Sequence, residues 1–256
     1  MKNKFQLLNG LALVATIAIN YLSSSGMLNG ETMASISAKH PTLFTSAGYA
    51  FSIWGIIYIG LLGFVIYYGP LTKSTETKEK TVSTIGWWFV ISCIANSLWV
   101  VAWMYGYTFL SILLMVVIFV SLLKIIQQIK PELQSPNLKT RLFLQLPFHI
   151  YAGWISVALI ANVAFLLKKV EWNGFGISET IWAIVMIIIA ALVHLFMLWR
   201  QKMPLFSLIA VWALIAIAVA NQKSNQTVFI TAVSVAIFIF VNIAVQFLKK
   251  KYLNEK

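Results

Sequence analysis

Long apolar runs alternate with short polar segments along the whole 256-residue chain. A helix needs about 20 mainly apolar residues to cross a bilayer. Eight stretches meet or approach that length: residues 5–22, 48–68, 85–105, 109–129, 142–167, 180–199, 205–220 and 227–247. The seventh is the shortest and needs local bilayer thinning or snorkelling flanks. The connections fit the same count. Residues 70–84 are polar and charged, residues 130–141 carry Pro131 and Pro136, and Asn173-Gly174 marks a turn. The short joints at 104–108 and 201–204 predict antiparallel neighbours. The expected fold class is an all-α integral membrane protein of about eight transmembrane helices.

Composition strengthens this reading. Apolar residues make up 60% and charged residues 10%, against about 25% charged in a soluble domain, so there is too little charge to coat a globule. Aspartate is absent, and the seven glutamates all lie outside or at the edge of the apolar runs, as a hydrocarbon solvent demands. The net charge of +12 is spread in short clusters flanking those runs, which reads as topology signal and contact with anionic lipid rather than nucleic-acid binding. The lone Cys93 excludes an intramolecular disulfide and a cysteine-built metal site.

The basic residues also predict orientation. With eight spans, one face collects 15 lysines and arginines, among them Lys2, Lys73, Lys78, Lys80, Lys139, Arg141 and Lys256, while the other has 4: Lys39, Lys168, Lys169 and Lys223. Basic residues stay cytoplasmic, so both termini are expected inside, in a cell (inner or plasma) membrane. The first run resembles a signal peptide but lacks an A-x-A-like cleavage site, and is read as a retained helix.

Candidate chemistry is sparse. No H-E-x-x-H or G-x-S-x-G motif occurs, so no catalytic residue and no metal site is expected, and the chain is not read as an enzyme. His149 and His194 fall inside spans and are expected to be hydrogen-bonded across helices. The informative pattern is aromatic. Phe51, Trp54 and Tyr58 share one helical face; Asn96, Trp99 and Trp103 repeat the spacing; Tyr151, Trp154 and Ala158 repeat it again, with Ser156 and Asn162 nearby. Trp87, Trp88, Trp182 and Trp199 fit an interfacial belt, but Trp54, Trp99 and Trp154 lie deeper. Such stripes serve either as helix packing or as walls of a pocket for a flat apolar ligand with a few polar anchors.

At these residues the chain resembles the TspO/MBR family of tryptophan-rich sensory proteins, which includes the mitochondrial translocator protein. That family carries K-P and then P-P-x-W-x-F before its second helix, followed by W-x-x-x-Y. Here Lys39-His40-Pro41 precedes Ala47-Gly48-Tyr49-Ala50-Phe51, Trp54 and Tyr58, without the paired prolines and with tyrosine in place of tryptophan. Asn96-Ser97-Leu98-Trp99 resembles the family's third helix, and Pro147-Phe148, Trp154 and Asn162 follow the order of its fifth. The acid usual in the fourth helix is missing from residues 109–129.

The resemblance covers residues 1–169, a five-helix module, and leaves 170–256 as a three-helix extension, so the chain looks like an enlarged relative. It implies a multi-pass ligand-binding or sensory protein that takes a flat apolar ligand such as a porphyrin or haem-like tetrapyrrole. The residues it points to are Phe51, Trp54, Tyr58, Asn96, Trp99, Trp103, Trp154 and Asn162. No resident cofactor is required. Expected partners are membrane lipids and the small apolar ligand, with no nucleic acid; a homodimer stays open. The alternative is a secondary transporter or permease component, although no sequence repeat or intramembrane carboxylate supports ion coupling.

Overall fold

A computed structural model describes residues 4–133 and 136–254, with side chains as far as Lys249. Lys2, Glu255 and Lys256 therefore lie outside the described residues, as do the side chains of Lys250 and Lys251. The helices are α1 (Lys4–Ser24), α2 (Met33–Ser37), α3 (Ile53–Tyr68), α4 (Glu76–Ile85), α5 (Trp87–Met104), α6 (Thr108–Gln128), α7 (Leu138–Thr140), α8 (Leu146–Lys169), α9 (Glu179–Gln201), α10 (Pro204–Asn221) and α11 (Gln226–Asn254). Among the described residues eight helical segments are long and apolar enough to cross a membrane, in the places the apolar runs predict. Two compact units form. One comprises residues 1–36 and 52–155, the other 37–51 and 156–256, so α8 contributes to both.

In the first unit α5 packs along α6 and α1, and α1 also lies against α3. Helix α1 is polar inside and apolar outside. Gln6, Asn9, Thr16, Asn20 and Ser23 are buried beside Leu13, while Leu7, Leu11, Val14 and Tyr21 are exposed. Spacings of three and four residues put the polar set on one face. Water would favour the opposite arrangement; hydrocarbon favours this one, because only other protein groups can satisfy the amides and hydroxyls. Thr16 Oγ1 lies 3.1 Å from the Cys93 carbonyl and 3.2 Å from Ser97 Oγ, and Gln6 Nε2 donates to the Tyr68 carbonyl at 2.9 Å.

Two features depart from the sequence expectation. The charged connection after α3 is not a loop throughout, since it contains α4. Thr75 caps that helix by accepting from the Lys78 amide, Glu76 and Glu79 occupy its first turn, and Gly86 ends it at φ 54°. Thr81, Val82 and Ile85 form its buried face. Pro147, near the start of the fifth span, does not interrupt it. Residues Arg141–Gln145 form a π turn in which the Leu146 amide bonds back to the Arg141 carbonyl, and the helix continues. The register shift absorbs the amide that proline lacks. Gly60 and Gly63 of α3 admit this segment, because a Cβ on either would meet Pro147 at 3.3 Å or Phe143 at 3.0 Å.

In the second unit α9, α10 and α11 pack on one another. The turn between α9 and α10 uses Lys202 in the left-handed region at φ 59°, and Pro204 opens α10 where no amide is needed. Residues 37–51 are tied to these helices. Asn221 Nδ2 donates to the Leu43 carbonyl at 2.9 Å, the Ala47 amide to the Ala216 carbonyl at 3.0 Å, and the Leu43 amide to Glu179 Oε1 at 3.1 Å.

Candidate ligand site

Three helices of the first unit each contribute a pair of side chains one turn apart: Trp54 and Tyr58 from α3, Asn96 and Trp99 from α5, Tyr151 and Trp154 from α8. The Trp54 ring sits among the others. It stacks on Tyr58 at 5.7 Å between centroids, tilts against Trp99 at 5.5 Å, and meets Tyr151 at 5.8 Å and Trp154 at 6.4 Å edge to face. All these separations lie in the favourable range for aromatic pairs. Trp54, Trp99, Tyr151 and Trp154 are buried.

Asn96 is the polar centre of the cluster and is fully buried. Its Oδ1 accepts from Asn20 Nδ2 at 2.8 Å and from the Tyr58 hydroxyl at 3.3 Å. Its Nδ2 donates to the Tyr151 hydroxyl at 2.8 Å. One amide thus fixes the relative rotation of α1, α3, α5 and α8. The indole N–H groups of Trp54 and Trp99 are buried with no acceptor among the described residues. An aromatic cluster with two such donors suits a flat molecule carrying acceptor atoms.

Three further residues were singled out from sequence. Trp103, one turn beyond Trp99 on α5, directs its indole N–H to the Met33 carbonyl of α2 at 3.4 Å. Phe51 and Asn162 belong to the second unit, the former in the 3-10 turn Gly48–Ser52 and the latter buried in α8. Asn20 was not singled out from sequence. Its signal was the spacing of polar residues along the first apolar run, at Thr16, Asn20 and Ser23.

The two buried histidines part company. His194 behaves as expected of a polar tie between helices. Its Nδ1 lies 3.1 Å from the Phe206 carbonyl and its Nε2 3.0 Å from Ser156 Oγ. A carbonyl only accepts, so the proton is assigned to Nδ1, and Nε2 accepts from the serine hydroxyl. His149, also buried, has neither ring nitrogen hydrogen-bonded among the described residues, contrary to expectation.

The family model described as TSPO-like protein matches residues 6–245. The chain belongs to the TSPO-like protein family. The match runs through α9, α10 and most of α11, so this TSPO-like protein carries family likeness across all eight candidate spans. Searches of curated proteins and of solved structures find no match. Family membership and eight apolar helices together make this a multi-pass membrane protein.

Proposed function

We propose that this TSPO-like protein binds a flat apolar ligand, of the porphyrin class, at the aromatic cluster around Trp54, and that it acts as a binding or sensory protein rather than an enzyme. The observation that carries the reading is the enclosure itself. Four aromatic rings surround Trp54, a polar network centres on Asn96, and among the described residues the N–H groups of Trp54 and Trp99 stay unspent. Rings supply dispersion and stacking to a planar macrocycle. The indole donors suit carboxylate or carbonyl oxygens at its rim. The cluster contains no carboxylate, which favours binding over ion-coupled transport.

The test is a titration of the purified full chain in detergent with protoporphyrin IX, read by quenching of tryptophan fluorescence. Saturable quenching that weakens in Trp54→Leu supports the reading. Quenching that is linear in porphyrin, or unchanged in Trp54→Leu, refutes it. The 15-to-4 division of basic residues further supports a cell-membrane protein with both termini in the cytoplasm. A reporter fused after Lys256 should then read cytoplasmic, and an external reading would overturn that orientation.

A further inference from the structure

At the end of α3 the Tyr67 ring gathers positive charge. Lys78 Nζ of α4 lies 4.0 Å from the ring centroid and Lys139 Nζ of α7 lies 6.0 Å from it. The ring is held from behind by Phe143, stacked on it at 4.9 Å with an interplanar angle of 18°. Lys78 is further positioned by donating to Thr72 Oγ1 at 3.1 Å and to the Lys73 carbonyl at 3.2 Å. Among the described residues neither Lys78 nor Lys139 pairs with a carboxylate. Two of the three nearby acids are engaged elsewhere: Glu79 accepts from Ser74 at 2.8 Å and Glu132 from Thr81 at 2.9 Å. Residues 69–86 and 129–141 together hold six cations and three carboxylates, so the local field is positive.

We propose that Lys78 and Lys139, gathered about the Tyr67 ring, form a binding site for the phosphate of an anionic phospholipid. Two ammonium groups brought to one ring repel each other unless an anion lies between them. A cation–π contact holds each lysine without neutralising it. The position selects a lipid over a soluble anion. Tyr67 stands at the end of the span that includes α3, the span that includes α8 begins at Leu138, and Leu71, Leu138 and Leu142 are exposed in these flanking segments. A phosphate at that level places its acyl chains along those leucines.

Native mass spectrometry of the full chain, delipidated and supplied with equal phosphatidylglycerol and phosphatidylcholine, tests the site. The protein should retain phosphatidylglycerol preferentially. Each surface lysine near an anionic headgroup contributes about a fivefold gain in affinity, so K78Q/K139Q should lower retention about 25-fold. K78R/K139R should keep it, and K223Q, in the second unit, should stay within about twofold of the parent. Salt at about 1 M, where the screening length is about 3 Å, should release phosphatidylglycerol from the unmodified protein without requiring any variant to fold. Undiminished preference in K78Q/K139Q, or retention indifferent to salt, overturns the proposal. Displacement of the lipid by inorganic phosphate alone assigns the site to a soluble anion and equally overturns it.

Discussion

Asn20 on α1 donates its side-chain amide to Asn96 Oδ1 on α5 at 2.8 Å, and the same Asn20 nitrogen lies 2.9 Å from the Thr16 carbonyl of its own helix. The two residues are 76 positions apart and both buried. Asn20 therefore retains an acceptor when Asn96 is removed, whereas Tyr151 loses the amide that donates to it. Asn96→Leu should destabilise the protein by about 1–3 kcal/mol, the cost of leaving a buried polar group unpaired. Asn20→Leu should cost less, nearer the roughly 0.6 kcal/mol average for interhelical bonds in membranes. The double variant should cost less than the sum. Unfolding in detergent mixtures provides the measurement, and strictly additive losses would show that the two side chains do not act as one unit.

Trp154→Leu should weaken porphyrin binding about 2- to 13-fold, from the roughly 0.5–1.5 kcal/mol that an aromatic pair contributes beyond area burial. Trp87 is half exposed, meets Phe5 edge to face at 5.4 Å and has Lys4 Nζ 5.9 Å from its ring centroid, so Trp87→Leu serves as the control and should leave affinity within about twofold. Equal affinities in two monodisperse variants would reduce Trp154 to ordinary packing.

The histidines should answer differently to the same substitution. His194→Leu removes the partner of Ser156 and of the Phe206 carbonyl and should lower stability by about 1–3 kcal/mol. His149→Leu deletes two ring nitrogens that bond none of the described residues and should be neutral or stabilising, since an apolar side chain carries no desolvation cost. Thermal unfolding of both variants decides. A large loss at His149 would mean that its nitrogens have a partner beyond the protein.

Glu132 is half buried in the segment after α6, outside the candidate spans. Burial raises its pKa above the ordinary 4.5, outweighing the Thr81 hydroxyl and the charge of Lys80, which lower it. A raised folded-state pKa means the folded protein holds its proton more tightly than the unfolded chain. Its contribution is thus fully present below about pH 4.5 and is lost as pH rises through the folded-state value. Glu132→Gln keeps a neutral side chain at every pH. Below pH 4.5 the two proteins should be equally stable, and above it the parent should fall behind the variant. A pH series of melting temperatures showing the opposite trend would mean that Thr81 and Lys80 dominate.

The sequence by itself determined the spans. An apolar run of bilayer length is a local property, and its ends are marked by charges, prolines and caps that act within a few residues; the spans Gly48–Tyr68, Thr108–Gln128 and Glu179–Gln201 begin and end within two positions of those the runs predict. Local chemistry could also have disclosed α4, since Thr75, Glu76 and Glu79 are helix-start residues, had the segment's polarity not suggested a loop. Only the tertiary structure decided which face of each span turns inward. A helix that is apolar on nearly every side has no amphipathic stripe to declare its rotation. Trp99 and Trp103 are therefore indistinguishable by spacing, yet one joins Trp54 and the other reaches the Met33 carbonyl. His149 and His194 are equally buried and equally placed in their runs, but only His194 meets a serine and a carbonyl. Those outcomes depend on contacts between residues tens of positions apart, and hydrocarbon accepts an apolar side chain in any direction while demanding a partner for each polar one.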